Sequence, residues 1–220
     1  MTHEPLSGQS NLWLADTLWR LGAVQFGDFT LGRTTVNSPI YVNLRLLIAH
    51  PTALAKAAQI LLQEVTTLQS MRNPQIDPFD IVCGVPIGGL LIAEAFSLTS
   101  KVPLIYLQQR KDDLETDVEG IYHPSQTALI MDDLITGGGS INMTASRLRD
   151  EGLFVRDAVV LFERQSGGRH SLTDNGIRVV SVLTFEVLLT YLHSTGKISD
   201  DWYRKSMSFY DTTRHLDPEV

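Results

Sequence analysis

Two kinds of hydrophobic spacing alternate along the chain. From Pro51 to about Leu68, apolar residues recur at Leu54, Ala58, Leu61, Val65 and Leu68, the i, i+4, i+7 spacing of one helix face. Pro51 suits the first helical turn, where a missing N–H costs nothing. An earlier helix is predicted from Ser10 or Asn11 to about Leu21, with Leu14, Leu18 and Leu21 on one face and Gly22 as its stop. Between these helices, 26–31 and 38–44 read as two short strands joined by Gly32-Arg-Thr-Thr, a hairpin-like hood.

Beyond the polar loop at 70–78, short apolar runs alternate with helix-length segments. Strands are predicted at 79–84, 102–107, 127–131, 154–162 and 177–183, and helices at 88–98, 140–151, 186–193 and 200–207. Residues 108–120 read as a polar loop. Runs rich in Val, Ile and Leu separated by helices predict an α/β fold, a central mostly parallel sheet flanked by helices. No repeat or linker interrupts the pattern. The chain is expected to form one domain over 1–220, with the hood mainly at 10–45 and a helical extension at 199–220.

Composition narrows the function. At 220 residues the chain can bury about 70% of its unfolded surface in one core. Its 18 basic and 25 acidic residues give a net charge of −7, which argues against a nucleic-acid partner. An anionic ligand must then be held locally, by backbone N–H groups and a few Arg or Lys. A single cysteine, Cys83, excludes an internal disulfide and a multi-cysteine zinc site. The six histidines show no metal-ligand spacing. No apolar run reaches membrane-span length, and the opening MTHEPLSGQSN lacks the basic flank and apolar centre of a signal peptide. A cytoplasmic protein without a membrane partner is expected.

The stretch Leu129-Ile-Met-Asp-Asp-Leu-Ile-Thr-Gly-Gly-Gly-Ser140 carries the chemistry. An apolar strand ends in two carboxylates, Asp132 and Asp133, and a small-residue loop opens a helix. In open α/β sheets ligands bind at the carboxyl ends of strands. A glycine-rich loop entering a helix aims several N–H groups, and the helix dipole, at an anion. A P-loop would need a Lys in the loop, and a dinucleotide fingerprint would place its acid after the loop; neither fits. Acids beside a phosphate loop suit a bifunctional ligand. A ribose 5-phosphate would set its phosphate on Thr136, Gly137, Gly138, Gly139 and Ser140, and its 2- and 3-hydroxyls on the acceptors Asp132 and Asp133. The bland alternative is a structural turn with solvated acids.

An apolar strand, two acids, two further residues, Thr and a small-residue loop together resemble the signature of the type I phosphoribosyltransferases. Three more segments resemble the orotate phosphoribosyltransferase family: the hood strands with Arg45, the turn Val82-Cys-Gly-Val-Pro-Ile-Gly-Gly89, and Leu161-Phe-Glu-Arg-Gln-Ser-Gly-Gly168. The likeness runs from about Leu18 to Leu192 and is similar to the phosphoribosyltransferase half of UMP synthases; no following decarboxylase domain is expected. It implies the type I phosphoribosyltransferase fold. It also implies transfer of ribose 5-phosphate from phosphoribosyl diphosphate (PRPP) to orotate, with Mg²⁺ bound through PRPP, in a homodimer. The residues implied are Lys111, Asp132 and Asp133 for catalysis. For PRPP they are Arg110, Lys111, the acid pair, residues 136–140 and Gly88; for orotate, Arg164, Thr136, Tyr41 and Arg33. Tyr41 and Phe29 either flank the base or are hood core. Arg164 either meets the orotate carboxylate or pairs with Glu163.

One segment departs from the family. Gln109–Gly120 keeps Arg110 and Lys111 but is short, and carries Asp112, Asp113, Glu115, Asp117 and Glu119. Acids closing over a diphosphate repel it. A lid excludes water and completes a site. The expectation is therefore retained PRPP binding with weak or redirected transfer. A non-catalytic PRPP or nucleotide sensor, or transfer to another base, are the alternatives.

Overall fold

The computed structural model describes residues 8–31, 35–109, 116–164 and 167–213. Helix α1 (Gly8–Arg20) precedes an antiparallel pair, β1 (Val24–Leu31) and β2 (Thr35–Val42). A short 3₁₀ turn (Leu44–Ala49) leads into α2 (Pro51–Gln69), with Pro51 in its first turn. The rest alternates: β3 (Ile81–Gly84), α3 (Gly88–Ser100), β4 (Leu104–Gln109), β5 (Thr116–Glu119), β6 (Thr127–Ile135), α4 (Gly139–Asp150), β7 (Phe154–Glu163), α5 (Gly167–Asp174) and β8 (Arg178–Thr184). It ends with α6 (Phe185–Ser194) and α7 (Asp200–Thr213).

The main sheet has six strands in the order β5-β4-β3-β6-β7-β8. All neighbours are parallel except β4 and β5. The expected α/β class with a mostly parallel, helix-covered sheet is thus observed. Successive strand residues point to opposite faces, and each face has its own core. Leu129, Met131, Val159 and Leu161 pack with α1, α2, α3 and α6 through Leu14, Leu61, Phe96 and Leu189. Ala128, Ile130, Ala158 and Val160 pack with α4 and α5 through Ile141, Leu148 and Leu172. Because strands are buried on both sides, they read in sequence as continuous apolar runs rather than alternating ones.

Three expectations are corrected. Residues 116–119 are not loop: β5 folds back antiparallel on β4, pairing Tyr106 with Glu119 and Gln108 with Asp117. The central strand does not end at the acids. It continues to Ile135 because β7 runs alongside, pairing Asp132 with Val160 and Ile135 with Glu163. A helix, α5, occupies 167–174, a stretch between two predicted strands for which the apolar pattern predicts no element. The aromatic C-terminal stretch is also accounted for: α7 lies on β2 and α6, with Trp202 against Phe26 and Tyr210 stacked on Phe185 at 4.8 Å between ring centres.

Winding direction reverses at β3, whose two sheet neighbours are β4 on one side and β6 on the other. Such a switch point leaves a crevice beyond the carboxyl ends of the two central strands. Beyond β3 lies the turn 85–87; beyond β6 lies the loop 136–138.

Candidate active site

The loop after β6 is shaped by glycine. Gly138 holds φ +82°, a left-handed conformation costly for a residue with a Cβ, and a Cβ there would lie 2.9 Å from the Gly168 carbonyl oxygen. Gly168 in turn lies flat on the loop; its own Cβ would meet the Gly137 carbonyl carbon at 2.9 Å and the Gly138 nitrogen at 3.0 Å. Helix α4 starts directly after, with no side chain capping its first turn. Its free N–H groups, and the positive end of its dipole, therefore face the space above the loop. That space is a cleft of about 210 Å³ lined by Asp132, Leu134 and residues 135–141.

Asp132 and Asp133 point differently. Asp132 is buried, and its Oδ1 accepts the Asp133 backbone N–H at 2.8 Å. Burial, and next the neighbouring Asp133 carboxylate, push the Asp132 carboxyl well above the ordinary aspartate value; the Asp133 N–H and Arg45 pull the other way without prevailing. Asp133 opens onto a second cleft of about 520 Å³, shared with Phe29, Tyr41, Asn43, Arg45 and Arg164. Leu134 lines both clefts, so the two meet at the acid pair.

The second cleft is roofed by the hood. The Phe29 and Tyr41 rings lie 5.7 Å apart, tilted by 40°. Arg164 reaches across to Ser38 on β2, donating to its Oγ at 3.4 Å. Burial draws its guanidinium below the ordinary value, yet arginine stays protonated in proteins. The alternative pairing of Arg164 with Glu163 is not formed. Glu163 points to the opposite side of the strand end and takes the Arg169 guanidinium instead. Among the described residues Arg164 has no carboxylate partner, so its charge faces the cleft.

Other sequence candidates fare unequally. Thr136, Gly137, Gly138, Gly139 and Ser140 are brought together with the acid pair. Gly88 lies beside it, but as a floor: a Cβ at position 88 would overlap the Asp133 carboxylate. Gly89 is as tight, its Cβ falling 2.5 Å from the Met131 carbonyl oxygen. Arg33, Arg110 and Lys111 lie outside the described residues. Sequence reasoning overlooked Gly168 and Arg169 as supports of the loop; the only signal was a Gly-Gly-Arg run after a buried strand. Arg45, quoted as part of the hood, lines the cleft beside Asp133.

No protein-family model matches the chain. Curated relatives do. Over 189 residues it is 36% identical to the orotate phosphoribosyltransferase of Chlamydia caviae, covering 83% of this chain and 86% of that one. Over 198 residues it is 36% identical to bovine uridine 5′-monophosphate synthase, covering 89% of this chain but 40% of the bovine protein. The chain thus spans less than half the length of that relative. Among solved structures, orotate phosphoribosyltransferase from Aeropyrum pernix superposes with a TM-score of 0.71 at 31% identity, over 84% of this chain and 99% of that one. With its two clefts meeting at an acid pair and 36% identity over 86% of a curated orotate phosphoribosyltransferase, the chain belongs to the orotate phosphoribosyltransferase family.

Proposed function

We propose that this protein transfers ribose 5-phosphate from PRPP to N1 of orotate, releasing diphosphate and forming orotidine 5′-monophosphate. The observation that carries the reading is the meeting of an amide-lined cleft and an arginine-bearing cleft at Asp132–Asp133. The 5-phosphate sits on the amides of 136–140, and the ribose hydroxyls on the acid pair, which accepts hydrogen bonds. The diphosphate lies toward the turn before α3. The orotate carboxylate meets the planar fork of Arg164, with Phe29 and Tyr41 beside the base. The C1–O bond to diphosphate breaks as the N1–C1 bond forms, the proton on N1 passes to a departing diphosphate oxygen or to water, and positive charge develops on the sugar. Positioning and charge stabilisation then supply most of the acceleration.

Magnesium belongs to the same reading. Among the described residues no three His, Cys, Asp or Glu side chains converge into a metal cage. Asp133 nevertheless offers hard oxygens to the cleft, which suits an ion that keeps its waters and arrives on substrate oxygens. When bound, the ion neutralises charge on the leaving diphosphate. The reading extends to a cytoplasmic homodimer. Support for a second copy comes from two large apolar side chains left exposed at the two ends of α3, Ile87 just before it and Leu98 near its close, 68% and 67% exposed. No helix among the described residues is long and apolar enough to cross a membrane.

The acidic 112–119 segment supports a second reading, a PRPP sensor without transfer. Orotate consumption with PRPP and Mg²⁺ separates the two. Formation of orotidine 5′-monophosphate supports the enzyme. Thermal stabilisation by PRPP–Mg²⁺, without turnover and without response to orotate, supports the sensor.

A further inference from the structure

The carboxylate of Glu163 and the guanidinium of Arg169 make a fork-to-fork pair at the upper edge of β7. Arg169 Nε donates to Glu163 Oε1 at 3.1 Å and Nη2 to Oε2 at 2.5 Å. Two further bonds hold the pair: Arg169 Nη1 donates to the Val179 carbonyl at 2.6 Å, and Ser181 Oγ donates to Glu163 Oε2 at 2.7 Å. The Glu163 side chain is 9% exposed and that of Arg169 31%, so the carboxylate is enclosed while the guanidinium keeps one edge toward solvent. An arrangement of this kind fixes direction as well as distance.

What it fixes lies on both sides. Arg164 directly follows Glu163, and its backbone N–H donates to the Ile135 carbonyl at 3.0 Å, one residue before the phosphate loop. Gly168 directly precedes Arg169 and lies flat on Gly137 and Gly138. Further along α5, Leu172 would touch a Cβ on Gly138 at 3.0 Å, and Ser171 accepts from Asn142 of α4 at 2.9 Å. The first turn of α5 is thus a splint beneath the loop, and Glu163–Arg169 pins it to the sheet.

We propose that Glu163 and Arg169 form a positioning clasp. It sets the phosphate loop and the Arg164 fork at their working separation, and neither residue touches substrate. The inference rests on the reading of 136–140 and Arg164 as PRPP and orotate sites. Loosening the clasp lets both groups drift, and a displacement of ~1 Å costs about a hundredfold in a positioned reaction.

The test uses the whole chain with Arg169→Lys, Glu163→Gln, Arg164→Ala and the Arg164→Ala/Arg169→Lys double variant. Melting curves establish that each is folded, and the two conservative changes remain usable if harsher ones are not. The clasp predicts that Arg169→Lys raises KM for PRPP and for orotate, each by about tenfold or more. In the Arg164→Ala background, Arg169→Lys leaves the orotate KM where Arg164→Ala put it and still raises the PRPP KM, the non-additivity of residues acting through one another. Lower melting temperature with both KM values unchanged overturns the clasp and leaves the functional reading standing. A wild-type protein that neither binds PRPP–Mg²⁺ by calorimetry nor consumes orotate overturns the functional reading, and the clasp with it.

Discussion

The carboxylate of Asp133 occupies the space directly over the Cα of Gly88, where any side chain would collide with it. The two residues come from different crossovers, the turn into α3 and the end of β6, and their contact is what closes the floor between the two central strands. Position 88 therefore acts by being empty. Gly88→Ala forces either Asp133 or the turn to shift, a form of overpacking that costs about 1–3 kcal/mol. The expected outcome is a lower melting temperature together with a higher KM for PRPP. Wild-type kinetics in Gly88→Ala would show that the acid does not depend on that floor.

Asp132 predicts a pH dependence of stability. Its folded-state pKa is raised above the ordinary 3.8 by burial and by Asp133. The unfolded chain ionises first, so stability is full below 3.8 and is lost as pH rises from there toward the folded value. Asp132→Asn keeps the oxygen that accepts the Asp133 N–H and removes this loss. Urea midpoints of variant and wild type should coincide near pH 3.5 and diverge in the variant's favour toward pH 7, while transferase activity falls. Parallel pH profiles would rule the argument out.

At the opposite end of the sheet the sign is reversed. Asp77 accepts from Arg178 at 2.6 Å and from Arg156 at 3.0 Å, and its backbone N–H donates to Asp157 at 2.8 Å. Arg178, and then Arg156, hold the Asp77 carboxyl below the ordinary value. This support is present above the unfolded pKa and is lost as pH falls through the folded one. Asp77→Asn should lower the urea midpoint at pH 7, flatten the acid limb, and leave KM values intact because the network lies away from both clefts. A changed orotate KM in this variant would contradict that separation.

The acids beside Arg110 and Lys111 lie largely outside the described residues, and the prediction about them comes from charge alone. Replacing Asp112, Asp113 and Glu115 by their amides removes like charges from a segment expected to cover a diphosphate. Turnover of orotate should rise, with stability little altered. A drop in kcat would mean that these acids assist closure rather than oppose it.

The one-dimensional pattern carried the fold class and the ligand-bearing loop, because both are written in neighbouring residues. Apolar strand runs spaced by helical segments force a covered parallel sheet, and a glycine-rich bend ahead of α4 must aim amides at one point. The hood strands were legible for the same reason, although their borders moved by two or three residues.

What lay beyond the sequence depends on partners far along the chain. Strand β6 runs on through its own acids because β7 offers hydrogen bonds there, and β5 exists because β4 has a free edge. Arg164 is released to the cleft because Arg169, five residues later, takes Glu163. Asp132 and Asp133 are adjacent in sequence, yet one is desolvated and the other faces a cleft. Local sequence decides what a segment offers; burial and pairing, which depend on the whole fold, decide which of those groups stays available for chemistry.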